Sequence, residues 1–177
     1  MSELVTNRLL MRPWREEDLR PFADLNADPR VMRYFPAALS REESDSFAKR
    51  IQDRHEQEDF GFWAVERRDS GEFIGMIGLS RPNFSTSFTP CVEVGWRLAA
   101  AHWGQGFATE GALAALHFGF TTLELDEIMS FTTLTNQPSR RVMEKLGMRH
   151  DPGDDFQHPS LPEGHLLRPH VLYRSRS

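Results

Sequence analysis

The chain has 177 residues, 39% hydrophobic and 27% charged, the balance expected of one soluble globular domain over residues 1–177. Its 21 basic and 26 acidic residues leave a net charge of −5, against the basic excess of a nucleic-acid binder. No apolar run reaches the roughly 20 residues of a membrane span. The start, MSELVTNRLLMRPW, shows no secretory signal, and a lone cysteine, Cys91, forbids an internal disulfide; the expectation is a cytoplasmic protein without a membrane partner.

In chain order, Asn7 to Met11 reads as a strand closed by Pro13-Trp14. Arg15-Glu16-Glu17-Asp18 opens a helix with acids in its first turn, where the helix dipole favours them. Asp28-Pro29 ends it. Ser40-Arg41-Glu42-Glu43 is a capping box for a second helix running to about Glu58. Phe62 to Arg67 and Phe73 to Ser80 form a hairpin around Asp69-Ser70-Gly71-Glu72, with Gly75 and Gly78 as bulge candidates. After a polar loop comes a strand, Cys91 to Leu98, in which Gly95 marks a bulge or a close backbone approach.

The next helix runs from the Trp103–Ala108 turn to about Phe120. Glu127 to Leu134 is a strand. Asn136 caps a helix with Pro138 in its first turn, and Gly147 stops it. Met148–His150 and Leu166–Arg174 read as the last strands. The order β-α-α-β-β-β-α-β-α-β-β predicts an α/β (α+β) layered fold, a mixed central sheet with helices on both faces.

Chemistry enters at Trp103-Gly104-Gln105-Gly106-Phe107-Ala108-Thr109-Glu110, a turn between a strand and a helix. The first N–H groups of a helix lack partners within it and carry partial positive charge, and two glycines let an anion approach. Such a turn is a main-chain phosphate cradle. The third glycine of a dinucleotide fingerprint is missing, as is the lysine of a nucleotide P-loop.

At these residues the chain resembles the GNAT acetyltransferases, whose acyl-CoA signature is Q/R-x-x-G-x-G/A. Trp103 in place of Gln or Arg, within W-G-x-G-[FY]-A-T-E, is similar to the RimJ/RimL-like branch that acetylates ribosomal proteins. A second segment, Asn136 to Met148, resembles the family's N-x-x-[AS]-x-x-x-Y-E-K-x-G-F, and the element order agrees with the family fold from Asn7 to Arg174.

The resemblance implies acetyl-CoA as co-substrate, held by Trp96, Arg97 and Leu98 through a splayed strand, by Trp103, Gly104, Gln105, Gly106, Phe107, Ala108 and Thr109, and by Asn136 and Ser139. It implies direct N-acetylation of a primary amine, first a protein N-terminal α-amine, with a polyamine, amino acid or drug as the alternative. A CoA-binding module without catalysis and an ordinary nucleotide-binding domain are the competing classes.

The family's proton-donating Tyr is Met143 here, which leaves the Ser139 hydroxyl, water or an unprotonated thiolate for the leaving group. Glu93, a carboxylate on a mid-sheet strand, is the candidate base; its alternative is an ion pair with Arg97 or Arg12. The Val94 to Trp96 main-chain N–H groups are candidate oxyanion donors. Asn136 is either a helix cap, a ligand contact through its NH2, or both.

The aperiodic stretch from Asp151 to Pro169 carries acids, Asp155 among them, that would attract a cationic acceptor, and His158 as a second base candidate. Its histidines fit no metal spacing, so no metal is expected. Tyr34, Phe35, Phe62 and Trp63 are candidates for the acceptor wall. Sheet-edge strands near the C-terminus offer a surface for a homodimer.

Overall fold

A computed structural model describes residues 2–58 and 60–177. Nine strands form one sheet among these residues: β1 (Leu4–Val5), β2 (Leu9–Arg12), β3 (Phe62–Arg67), β4 (Phe73–Ser80), β5 (Glu93–Leu98), β6 (Glu127–Thr133), β7 (Arg149–His150), β8 (Phe156–Gln157) and β9 (Pro169–Arg176). Their order is β1-β2-β3-β4-β5-β6-β9-β7, with β8 also on β9. Only β5 and β6 run parallel, and the helix that joins them is the crossover.

The helices are α1 (Leu19–Ala27), α2 (Arg41–Gln57), α3 (Phe107–Thr121) and α4 (Gln137–Lys145). Strand alternation sends side chains to two cores. Trp63, Val65, Ile77 and Val94 pack with Ala112 and Ala115 of α3 on one face. Phe22, Leu25, Ala48, Ile51 and Met76 pack on the other, between the sheet and α1–α2. Small residues let α3 lie close to the sheet: a Cβ at Gly111 would stand 2.5 Å from Ile77 Cδ1.

The local signals act as expected at α2, where Ser40 Oγ accepts from the Glu43 N–H and Glu43 Oε2 accepts from the Ser40 N–H. At α1 the acidic turn is a 3-10 turn, Glu16–Asp18, and Asp18 is buried rather than solvated. Asp18 takes both Arg12 terminal nitrogens at 2.8 and 2.9 Å, while Arg12 Nε reaches Glu66 at 2.8 Å. This buried cluster fastens the start of α1 to β2 and β3.

Several boundaries differ from expectation. The last strand begins at Pro169, because Leu166, 90% exposed, lies in the turn closed by the Arg168 N–H on the His165 carbonyl. The strand after the polar loop begins at Glu93, not Cys91. The stretch from Asp151 is not wholly irregular, since β8 pairs Phe156 with His170. The two-residue strands β1 and β8 carry no readable period; pairing with β2 and β9 creates them.

The bulge falls at Gly75 (φ 143°), where a Cβ would meet the Arg97 carbonyl oxygen, and not at Gly95, which pairs in register with Gly78.

Candidate active site

β5 and β6 share one register pair, Glu93 with Met129, and then part. Which main-chain groups face the opening follows from the ladder. Ala99 N–H donates to the Ile74 carbonyl, so alternate residues back from Ala99 (Arg97, Gly95, Glu93) direct their peptides toward β4. Val94, Trp96 and Leu98 therefore direct theirs toward β6. Two bonds agree: Met129 N–H donates to the Val92 carbonyl, and Ser130 Oγ donates to the Val94 carbonyl at 2.9 Å. The parallel pair of Glu93 with Met129 also takes up the Val94 N–H, on the Met129 carbonyl; beyond Ser130 the strands have separated, leaving the Trp96 N–H facing a gap. Arg97, expected to offer its main chain there, instead pairs with Met76 of β4.

The gap leads to the start of α3. Gly104 (φ 72°) and Gly106 (φ 82°) are left-handed, and Gly106 is the N-terminal cap without a side chain to fill the role. The first helical bond is Glu110 N–H to the Gly106 carbonyl, so the Phe107, Ala108 and Thr109 N–H groups have no partner in the helix. Side chains brace the turn from outside. Arg8 bonds Glu110 Oε2 at 2.6 Å and the Gln105 carbonyl at 2.8 Å, and its guanidinium lies over the Phe107 ring at 4.5 Å. Trp103 Nε1 bonds the Leu98 carbonyl at 2.9 Å, fixing the turn to the end of β5.

Gap and turn open into one continuous cavity of about 1210 Å³. Glu93 lines it and, among the described residues, has no hydrogen-bond or ion-pair partner; the alternative of a salt bridge to Arg97 or Arg12 is not formed. Solvent reaches part of the side chain, but the cavity walls surround it. Burial pushes its carboxyl up to about 8, with Arg54 acting weakly the other way.

On the far wall, Asn136 caps α4 through Oδ1 on the Ser139 N–H. Its NH2, expected to be available, donates to Thr132 Oγ1 at 2.9 Å and Ser139 Oγ at 3.1 Å. Those two hydroxyls accept from Asn136 and keep their own hydrogens for another acceptor. Met143 borders the cavity but is 1% exposed and packed into the main core.

Tyr34, Phe35, Trp96, Leu98, Trp103, Gly104 and Gly106 to Thr109 also line this cavity, as do Asn136, Ser139 and His158. Three predicted site residues lie elsewhere. Trp63 is fully buried against Phe118, because its strand position turns it toward α3. The Gln105 side chain folds back onto the Ala101 carbonyl. Asp155 bonds His150 Nε2 at 2.7 Å. Asp154 is likewise engaged by Arg174 and Asp151 by the Gly153 N–H, whereas Glu163 is exposed and, among the described residues, unbonded.

His158 packs against Phe84 and against His170, whose ring centre is 4.8 Å away. Burial lowers the pKa of both histidines, His170 to about 4. Cys91 is pushed up to about 11, mainly by burial, and so stays a thiol. The described residues hold no group of three or more His, Cys, Asp or Glu placed for a metal ion, and no helix long and apolar enough to cross a membrane.

Sequence reasoning missed the basic wall of the cavity, including Arg33, Arg50, Arg54 and the Arg97 guanidinium. The period of two in Glu93-Val94-Gly95-Trp96-Arg97 was the available signal, since it puts Glu93 and Arg97 on one face.

This split sheet with a glycine-turn helix is the architecture of acetyl transfer from coenzyme A, and the model of the acetyltransferase (GNAT) domain matches residues 8–149. The chain belongs to the GNAT acetyltransferase family and is an N-acetyltransferase. It is 30% identical over 140 residues to the spermidine N(1)-acetyltransferase of Escherichia coli (strain K12), covering 77% of this chain and 70% of that one.

A crystal structure of an acetyltransferase from Agrobacterium tumefaciens str. C58 superposes with a TM-score of 0.81 at 26% identity, covering 100% of this chain and 95% of that one. The same fold occurs in RimL, the ribosomal L7/L12 alpha-N-protein acetyltransferase in complex with coenzyme A, with a TM-score of 0.77 at 14% identity over 99% and 98% of the two chains.

Proposed function

We propose that the protein transfers the acetyl group of acetyl-CoA directly to a primary amine, and that the amine is a protein N-terminus. The observation that carries the transfer reading is the continuity of the split between β5 and β6 with the N-terminus of α3. The free N–H groups of Phe107, Ala108 and Thr109 suit a pyrophosphate. The Trp96 main chain and the Leu98 N–H suit an amide-bearing arm that adds to the open strand edge. Acetyl-CoA supplies a thioester, an acyl group on a good leaving group.

The residues present fit three chemical tasks. Glu93 takes the proton of the attacking amine, directly or through water. The Trp96 N–H faces the gap where an oxyanion would form. The Ser139 hydroxyl, oriented by Asn136, offers a proton to the departing sulfur, a task for which the Met143 thioether has no hydrogen. His158 stands behind Glu93 as a second base on the same cavity; its lowered pKa keeps it neutral near pH 7.

An α-amine, with a pKa near 7.7–8.0, is about one-tenth neutral at pH 7, whereas a lysine amine near 10.4 is neutral only about once in a few thousand. A base of modest strength therefore suffices for an N-terminal acceptor. The polyamine named for the Escherichia coli relative keeps the small-amine reading in play.

A screen of N-terminal peptides, polyamines and amino acids, read by thiol release, tests the proposal. Turnover of peptides above small amines is the expected result. Acetyl-CoA at about 100 times its Kd should also stabilise the fold by about 2.7 kcal/mol. Stabilisation without thiol release from any amine would mark a silent CoA-binding module. Stabilisation by ATP and not by acetyl-CoA would remove both readings.

A further inference from the structure

Arg97 is a half-buried cation, enclosed by the cavity walls, for which the acetyl-transfer chemistry has no use. It lies on β5 two residues beyond Gly95 and shares with Glu93 the face turned toward α1 and α2. Its guanidinium sits over the Phe35 ring at 4.2 Å and beside Phe47 at 5.3 Å. Nη1 donates to Asn26 Oδ1 at 2.7 Å, and Asn26, itself fully buried, is held by donating to Ser44 Oγ.

Among the described residues no carboxylate pairs with Arg97. Nε is buried without a partner, and Nη2, also unbonded, is open to the cavity. A buried charge without a counter-charge is costly, and ring faces offset only part of that cost. Burial lowers the Arg97 pKa to about 10, which still leaves it charged at neutral pH.

The surroundings have the same sign. Arg33, Arg50 and Arg54 line this side without an ion pair among the described residues. The acids of the lining are Glu93 and Glu58, and Glu58 is engaged by Arg81 at 3.3 Å. The acids of the 151–155 stretch, which would have drawn a cation, are bonded elsewhere. A cavity of this charge on a protein of net charge −5 selects for anions.

We propose that Arg97 binds a carboxylate of the acceptor, so that the amine presented to Glu93 is the N-terminus of an acidic peptide. This rests on the acetyl-transfer reading of the cavity. The Cα atoms of Glu93 and Arg97 are about 13 Å apart at the strand rise of 3.3 Å per residue, and both side chains line the same cavity from one face of β5. A peptide whose acid is its second or third residue covers the remaining span at about 3.3–3.6 Å per residue.

The test uses the full chain with acetyl-CoA and three hexapeptides that differ only in carrying Glu, Gln or Lys at the second and third positions. Spermidine and free glutamate serve as comparison acceptors. The Glu peptide should exceed the Gln peptide in kcat/KM by about 10- to 100-fold, the range of a charge-assisted hydrogen bond, and exceed the Lys peptide by more. Arg97→Gln should bring the Glu-to-Gln ratio to near one through KM, and Arg97→Lys should restore part of it. The ratio is insensitive to a loss of folded protein, which lowers both rates alike.

Equal or faster turnover of spermidine, the Lys peptide or free glutamate overturns the proposal, as does an unchanged ratio in Arg97→Gln. If no acceptor releases thiol, the transfer reading itself fails. Calorimetric binding of the Glu peptide to the CoA-bound protein then decides the slot separately: weaker binding by Arg97→Gln upholds it, and equal binding overturns it.

Discussion

Glu93 reaches the cavity without a partner among the described residues, and its chemistry follows from that isolation. A carboxyl held at about 8 is mostly protonated at pH 7, and the α-amine of the acceptor titrates in the same range. Both protons must be lost before attack. The logarithm of kcat/KM should therefore rise with a slope approaching two below pH 7, and Glu93→Gln should reduce the slope to one along with the rate. An unchanged slope would remove Glu93 as the base.

The same group links pH to stability. Its folded pKa, about 8, lies above the ordinary 4.5, so the folded state holds the proton more tightly than the unfolded one. The Glu93 contribution to wild-type stability falls as pH climbs from 4.5 to 8. Glu93→Gln should match wild type in denaturant melts below pH 4.5 and be the more stable protein above pH 8. At this scale the sequence singled out the residue, because an acid between Val92 and Val94 is out of place in a strand. It did not reveal that Arg97, four residues on, would leave Glu93 unpaired and turn instead to Asn26, 71 residues earlier in the chain.

At the scale of elements, the turn before α3 and the anchoring of α1 carry separate tests. A β-branched residue is strained at the φ of 82° found at Gly106, and its Cβ would lie 3.4 Å from Arg8 Nη2. Gly106→Val should abolish measurable CoA binding by calorimetry while the circular dichroism of the fold persists. Retained affinity would sink the cradle. α1 is held through Asp18, and removing one member of a buried ion pair leaves an uncompensated charge. Asp18→Ala should destabilise by about 3 kcal/mol, since Arg12 keeps Glu66, and lower Tm by about 6–12 °C. Because α1 carries Asn26, that variant should also weaken acceptor selectivity.

Helix boundaries were legible where a local signal sets them. The Ser40–Glu43 box, the Asn136 cap and the glycine turn at Gly106 each act within a few residues. Strands β1 and β8 were not legible, because two residues contain no pattern and partners distant in sequence define them.

Over the whole molecule, the cavity is a consequence of topology. One parallel pair among antiparallel neighbours needs a crossover, the crossover is α3, and the start of α3 arrives at the open end of the split. Glu93 from β5, Ser139 from α4 and His158 from the segment before β9 meet on one wall system only because β5 and β6 part after a single register pair.

By itself the sequence determined the fold class, the glycine turn that opens α3 and the family, since periodicity, caps and glycine turns act locally and survive reading one residue at a time. The gap between β5 and β6 also had a reading, but only through family resemblance. The tertiary structure alone decided which side chains face it. It took Trp63 and Asp155 away from the site, tied up the Asn136 NH2, and left Arg97 with rings and an amide in place of a carboxylate. The physical reason is that burial and pairing depend on what distant segments bring to the same space, and charge in a low-dielectric cavity is governed by those neighbours more than by the residue's own type.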